Sequence, residues 1–526
     1  MPTKDNELDT LRAQAEELGL EFLDEITDDM FDTDLIQGLA VDWARSSCVL
    51  PVRRRGELCL LVADPTEVSK QEDVALLVGA ELRPVLAPRS VILRGIERCY
   101  FSKRDSAEDF LRDMRAESPE RAPEVRRRSD DLLQVAEEAP VTQLVNLIML
   151  EAVKARASDI HFEPFESALR VRYRIDGLLY EQTSPPKHME QALVSRLKVM
   201  AHMDIAEKRL PQDGMARVRV GERQIDIRAS TIPVAEGERV VLRLLNRDSS
   251  LLPLTDLGMP AAMLRSFEEV LRESHGLVLV CGPTGSGKTT TLYAAIRQLD
   301  TVGKNIITIE EPVEYQLPDI GQMQVKPKIG LTFARGLRHI LRQDPDVVLV
   351  GETRDAETAE IAVRASLTGH LVFTTLHTND APSAVIRMMD MGVEPYLLAA
   401  ALRASLAQRL VRRLCPACRA SAQAAEADLA SLGAAGARVR GRTVWTPRGC
   451  SACLSGYRGR LGLFELLVVD DEMQDIMRRG AAEAKSIRTS ASGSRVPTLL
   501  DDGVAKVLAG ETSLAEVLYA LGHLGA

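Results

Sequence analysis

The chain of 526 residues carries a formal net charge of −10, with 45% hydrophobic and 27% charged residues. This is ordinary globular composition with room for three or four domains, and the acidic balance argues against nucleic acid as the main partner. No apolar run approaches the roughly 20 residues of a membrane span, and the start, Met1 to Asn6, holds no signal-peptide core, so the sequence reads as a cytoplasmic protein that reaches a membrane only through a partner.

Residues 1–101 read as a small α/β module. Helical spacing over residues 10–20 is followed by two apolar runs, residues 48–52 and 58–62, on either side of the turn Arg54-Arg55-Gly56-Glu57, and residues 90–100 form another amphipathic helix. Nothing in this module carries catalytic chemistry; partner docking is the expected role, with a purely structural appendage as the alternative. Residues 102–139, with Arg126-Arg127-Arg128 and few large apolar side chains, have the composition of a linker.

The pattern becomes dense again at Pro140 and predicts a second α/β domain over residues 140–250. A helix over residues 141–157 precedes alternating strands, the first of which ends in the hairpin dipeptide Asp176-Gly177. Arginines at every second position of several strands predict one basic face.

Residues 251–526 open on the apolar run 277–281, which feeds a G-x-x-x-x-G-K-[ST] loop made of Gly282, Pro283, Thr284, Gly285, Ser286, Gly287, Lys288 and Thr289. A helix-forming run from Thr290 follows. Strand before and helix after is the context a phosphate-binding loop requires. Glycines let backbone N–H groups turn inward, and the helix N-terminus adds partial positive charge. Lys288 then reaches the β- and γ-phosphates of ATP, and the Thr289 hydroxyl sits on Mg²⁺. Three further apolar runs, residues 306–309, 347–350 and 371–375, each end in polar residues, as expected of buried parallel strands with function at their carboxyl ends. The prediction is a P-loop NTPase core.

Eight cysteines fall into two kinds. Cys48, Cys59, Cys99 and Cys281 sit among apolar neighbours and read as core residues. Cys415, Cys418, Cys450 and Cys453 form two C-x-x-C knuckles, the pattern of a closed tetrathiolate Zn²⁺ site with no open position for water. The zinc subdomain is expected over about residues 412–465.

Several stretches together resemble the type II/type IV secretion ATPases. They are Ser158-Asp159-Ile160-His161-Phe162-Glu163-Pro164, Leu210-Pro211-Gln212-Asp213-Gly214, Ile309-Glu310-Glu311-Pro312-Val313-Glu314-Tyr315, Leu341-Arg342-Gln343-Asp344-Pro345-Asp346, Val350-Gly351-Glu352-Thr353-Arg354-Asp355, Thr368-Gly369-His370-Leu371 and Thr375-Leu376-His377-Thr378-Asn379. Within that family the chain is most similar to the type II general secretion ATPase; a type IV pilus assembly motor is the near alternative and a DNA-translocating ATPase a remoter one. The resemblance implies a RecA-like core in a hexamer, held peripherally at the inner membrane by secretion platform proteins that bind the N-terminal domain. It also implies that Glu314 is the catalytic carboxylate and that Glu352 helps hold Mg²⁺ and water. Arg209, Arg228, Arg338 and Arg342 match phosphate-facing arginines, and His370 and His377 are candidate sensors of the γ-phosphate. Two positions depart from the usual pattern: Glu311 stands where Asp is more common, and Met215 where many members have Arg.

Overall fold

The computed structural model describes residues 4–36, 38–102, 107–116, 140–220, 223–246, 252–479, 487 and 496–522. The chain divides into two compact units, residues 1–248 and 249–526.

In the first unit, β1 (Glu21–Phe22), β2 (Val49–Arg54), β3 (Glu57–Val62) and β4 (Arg83–Leu86) form a sheet in the order β1-β4-β3-β2. Arg55 and Gly56, with φ of 51° and 87°, supply the left-handed backbone that a two-residue turn between β2 and β3 needs. Cys48, Cys59 and Cys99 are buried, as their apolar neighbours predict.

Within the stretch that composition marks as a linker, residues 107–116 form the helix Ala107–Ala116. It packs on the helix Pro140–Lys154, with Ala107 and Leu111 buried and the Ala107 N–H donating to Glu151 Oε1 at 2.7 Å. Ala107, Phe110 and Leu111 recur at helical spacing, a short apolar stripe that composition averaged over 38 residues conceals. Arg126, Arg127 and Arg128 lie outside the described residues.

A second sheet in this unit runs β7-β6-β5-β10-β9-β8, from β5 (Asp159–Pro164), β6 (Leu169–Ile175), β7 (Leu178–Thr183), β8 (Gln212–Val220), β9 (Arg223–Val234) and β10 (Gly237–Asn246). Asp176 and Gly177, at φ 48° and 92°, make the β6–β7 turn. One face buries Ile160, Phe162, Val171, Tyr173, Val240 and Leu242 in the same core as the helix Pro140–Lys154. The register places the alternating arginines on the other face, beside the buried Asp159, His161 and Glu163. Arg172 and Arg239 contact Glu163 at 2.8 and 2.6 Å, and Arg243 contacts Asp159 at 2.9 Å. Much of the cationic charge on this face is therefore neutralised from beneath. Burial pushes the Glu163 carboxyl up, but the Arg172 hydrogen bond and the Arg239 charge outweigh it and hold the group below its ordinary value.

The second unit carries the seven-stranded sheet β13-β12-β14-β15-β11-β16-β19. Its strands are β11 (Gly276–Cys281), β12 (Ile306–Glu310), β13 (Gly321–Gln324), β14 (Val347–Val350), β15 (Leu371–Leu376), β16 (Leu402–Leu414) and β19 (Tyr457–Val468), with a separate antiparallel pair of β17 (Ala420–Gln423) and β18 (Thr443–Thr446). Strands β11, β14 and β15 are buried at every position, which is why they read as continuous apolar runs rather than alternating ones. Six strands are parallel and β19 is antiparallel to β16. Pairings Ile309↔Val350, Val350↔Thr374 and Cys281↔Leu376 bring the carboxyl ends of β12, β14, β15 and β11 to one edge.

Candidate active site

At that edge β11 gives way to the glycine loop and then to the helix Lys288–Arg297. Gly285 and Gly287 have φ of 78° and 90°, so the loop adopts the left-handed turns that a phosphate cradle needs and a side chain would strain. Gly282 is fixed by space as well: a Cβ there would lie 2.5 Å from the Gln408 carbonyl oxygen and from Ser286 Oγ. Gln408, buried on β16, clamps the loop by donating from Nε2 to the Ser286 carbonyl at 2.7 Å. Lys288 Nζ folds back onto the carbonyls of Gly282 and Pro283 at 2.8 and 3.0 Å. Burial lowers its pKa, partly opposed by the nearby charge of Glu352. Ser286 Oγ is buried and lacks a hydrogen-bond partner among the described residues. A cation, a free hydroxyl, inward-turning glycines and a helix N-terminus fit a nucleoside triphosphate with its Mg²⁺.

The ends of β14 and β15 add a carboxylate cluster. Glu352 pairs with Arg354 Nη2 at 2.7 Å and with His377 Nε2 at 2.9 Å, and Arg354 Nη1 also lies 3.9 Å from Glu311. Burial pushes the Glu352 carboxyl up, but the Arg354 hydrogen bond and charge and the contact with His377 outweigh it and hold the group below the usual carboxylate range. Glu314 follows the end of β12, half-buried, in the loop that Glu311 opens.

The remaining candidates lie elsewhere. His370 precedes β15, and its carbonyl accepts from Gly276 N–H at the opposite end of the sheet; six strand residues put it about 20 Å from the phosphate loop. Its Nδ1 lies 2.9 Å from the Ala365 carbonyl, where it caps the end of the helix Ala356–Leu367. The fold of one chain therefore does not bring His370 to the loop. Arg338, on the helix Phe333–Ile340, pairs with Glu357 at 2.5 Å, and Arg342 just beyond that helix lies 3.3 Å from His339 Nδ1. In the first unit Arg209 is 88% exposed and hydrogen-bonded to Glu207, whose carboxyl its contacts pull down to about 2. Arg228 stands on β9 opposite Met215 of β8 and Arg243 of β10.

Residues 134–519 match the family described as Type II/IV secretion system protein, and residues 18–106 match the MshEN domain. The chain belongs to the type II/IV secretion system protein family. The type II secretion system protein E of Klebsiella pneumoniae is 54% identical over 391 residues, covering 74% of this chain and 78% of that one. The type II secretion system ATPase E of Vibrio cholerae is 48% identical over 479 residues (87% and 94%), and the type IV pilus assembly ATPase PilB of Myxococcus xanthus 43% over 491 (93% and 86%). The solved structure of the Legionella pneumophila ATPase DotB has the same fold at 20% identity, with a TM-score of 0.53 over 73% of this chain and 96% of that one. As a secretion ATPase, the chain hydrolyses ATP.

Motif reading left three residues of this secretion ATPase without a role. Arg354 lies inside a quoted motif, yet only the fold shows it bridging Glu352 and Glu311. Arg409 on β16 donates to the carbonyl and side-chain oxygen of Asn379 at 3.3 and 3.0 Å, and burial lowers its pKa. Tyr293 is wholly buried with its hydroxyl on Glu310. A charged residue closing an otherwise apolar strand was the sequence signal for Glu310.

The four knuckle cysteines converge in the same unit, with their sulfurs all within 4.8 Å of one another. Sγ separations are 3.9 Å for Cys415 to Cys450 and 3.6 Å for both Cys418 to Cys453 and Cys450 to Cys453. Tetrahedral zinc with S–Zn bonds of about 2.3 Å requires sulfurs on the order of 3.8 Å apart, whereas a disulfide requires about 2.05 Å. The donor set fits a structural Zn²⁺.

Proposed function

We propose that this ATPase drives protein export through a type II secretion system, working as a hexamer held at the inner membrane by platform proteins that bind its N-terminal domain. The observation that carries the reading is a site of this family's chemistry in a chain that covers 94% of the Vibrio ATPase E at 48% identity. Among the described residues no helix is long and apolar enough to cross a membrane, in keeping with attachment through a partner.

The residue roles are proposals of the same kind. Backbone N–H groups of residues 284–288 and the Lys288 ammonium would hold the phosphates, with Gly282 and Pro283 shaping the turn, Thr289 would hold Mg²⁺, and Thr290 lies in the helix turn that follows. Glu352 orients metal and water, with Arg354 and His377 fixing its direction. Glu314 accepts a proton from the attacking water. Mg²⁺ supplies charge neutralisation at the β- and γ-phosphates when bound. Arg209, Arg228, Arg338 and Arg342 supply charge at a subunit boundary of the ring. Zn²⁺ on Cys415, Cys418, Cys450 and Cys453 stabilises its subdomain.

The test is complementation of a host strain lacking this protein. Wild type restores release of exoproteins to the medium, whereas Lys288→Ala, present at equal level, does not. The match to the Myxococcus pilus assembly ATPase favours a second reading. Loss of surface pili with intact exoprotein release supports that reading instead.

A further inference from the structure

Glu310 is 3% exposed, and among the described residues it has no Lys or Arg within ion-pair distance. A buried carboxylate without a cation is strongly destabilising unless donors surround it, and three side chains supply them here. Thr308 Oγ1 donates to Glu310 Oε1 at 2.5 Å, Gln322 Nε2 to the same oxygen at 3.2 Å, and Tyr293 Oη to Oε2. Burial and the neighbouring Glu310 push the Tyr293 phenol far above its ordinary pKa, so it remains a donor.

Two of these donors tie Glu310 to the elements that carry the site. Tyr293 is on the helix that begins at Lys288, five residues or about 7.5 Å along it, and its hydroxyl also accepts from Gln322 Nε2 at 3.3 Å. Its ring meets Tyr315 edge-on, with centroids 4.7 Å apart. Gln322 on β13 holds the rest of the loop, donating to the Tyr315 carbonyl at 3.2 Å and accepting from Leu317 N–H at 2.7 Å. The phosphate-loop helix and the loop bearing Glu314 are thus fastened to one buried carboxylate.

We infer that Tyr293, anchored on Glu310, is a positioning residue that sets the distance between Glu314 and the phosphates held by Lys288. This rests on the proposed reading of Glu314 as the base. An error of about 1 Å in such a distance can cost roughly 10²-fold in rate, so the hydroxyl acts on turnover rather than on nucleotide binding.

The experiment compares full-length Tyr293→Phe, Glu314→Gln and the double variant with wild type, reading kcat, KM for ATP and thermal unfolding. Tyr293→Phe should lower kcat about 10- to 100-fold with KM unchanged within about twofold, and the double variant should be no slower than Glu314→Gln. Gln322→Leu, which removes the amide's contacts with the loop, with Glu310 and with the Tyr293 hydroxyl but keeps the bond from Tyr293 to Glu310, should show the same split more weakly and serves if Tyr293→Phe does not fold. Wild-type kcat in both Tyr293→Phe and Gln322→Leu overturns the inference, as does a double variant slowed by the product of the two single effects. A wild-type rate in Glu314→Gln is a different failure: it removes the base assignment, and with it the group that Tyr293 is inferred to position.

Discussion

The imidazole Nε2 of His377 lies 2.9 Å from Glu352 Oε1, joining the ends of neighbouring strands β14 and β15 beside the phosphate loop. With Arg354 on its other oxygen, Glu352 is held in one orientation by two donors. His377→Ala should therefore leave ATP binding intact and lower turnover by about 10-fold, measured as a kcat change at constant KM. Equal losses in affinity and rate would make His377 a binding group instead.

The same cluster predicts a pH dependence. The Glu352 carboxyl is depressed in the folded chain, so its contribution to stability is fully present above the ordinary glutamate value of about 4.3. It is lost as pH falls through the lower folded value. The difference in thermal stability between wild type and Glu352→Gln should thus stay constant above about pH 5 and close below it. A difference that grows on acidification would reverse the sign of the linkage.

The parallel core was legible in the sequence because β11, β14 and β15 are buried on both faces and must be apolar throughout. The phosphate loop was legible because its glycines and lysine are contiguous. What escaped were contacts between residues far apart in the chain, such as Gln408 to Ser286 or Tyr293 to Glu310, which depend on strand order rather than spacing. His370 shows the reverse case. Its motif lies close to His377 in sequence, yet a strand separates them and sends the two histidines to opposite ends of the sheet. The helix Ala107–Ala116 escaped because only a few apolar side chains define it.

The metal site predicts about one zinc per chain on four thiolate ligands, measured by elemental analysis of protein purified without chelator. Cys415→Ser should lower the melting temperature and raise protease sensitivity in the knuckle region, with nucleotide affinity unchanged. Fully folded protein containing no zinc would contradict the assignment.

Assembly is tested through Arg228. If it completes a site within the ring, Arg228→Ala should lower turnover by up to the roughly 10³–10⁵ seen for charge donation of this type, with much less effect on ATP affinity. Wild-type activity per chain should then rise with protein concentration as rings form. Equal activity per chain in monomer and hexamer would assign Arg228 to its own sheet.

The most direct test of the account is Glu314→Gln, which removes the proposed base and leaves the phosphate loop untouched. ATP affinity by equilibrium titration should remain within about threefold of wild type, while steady-state hydrolysis falls by about 10²–10⁴. Hydrolysis at the wild-type rate would contradict the assignment of Glu314 as the group that activates water.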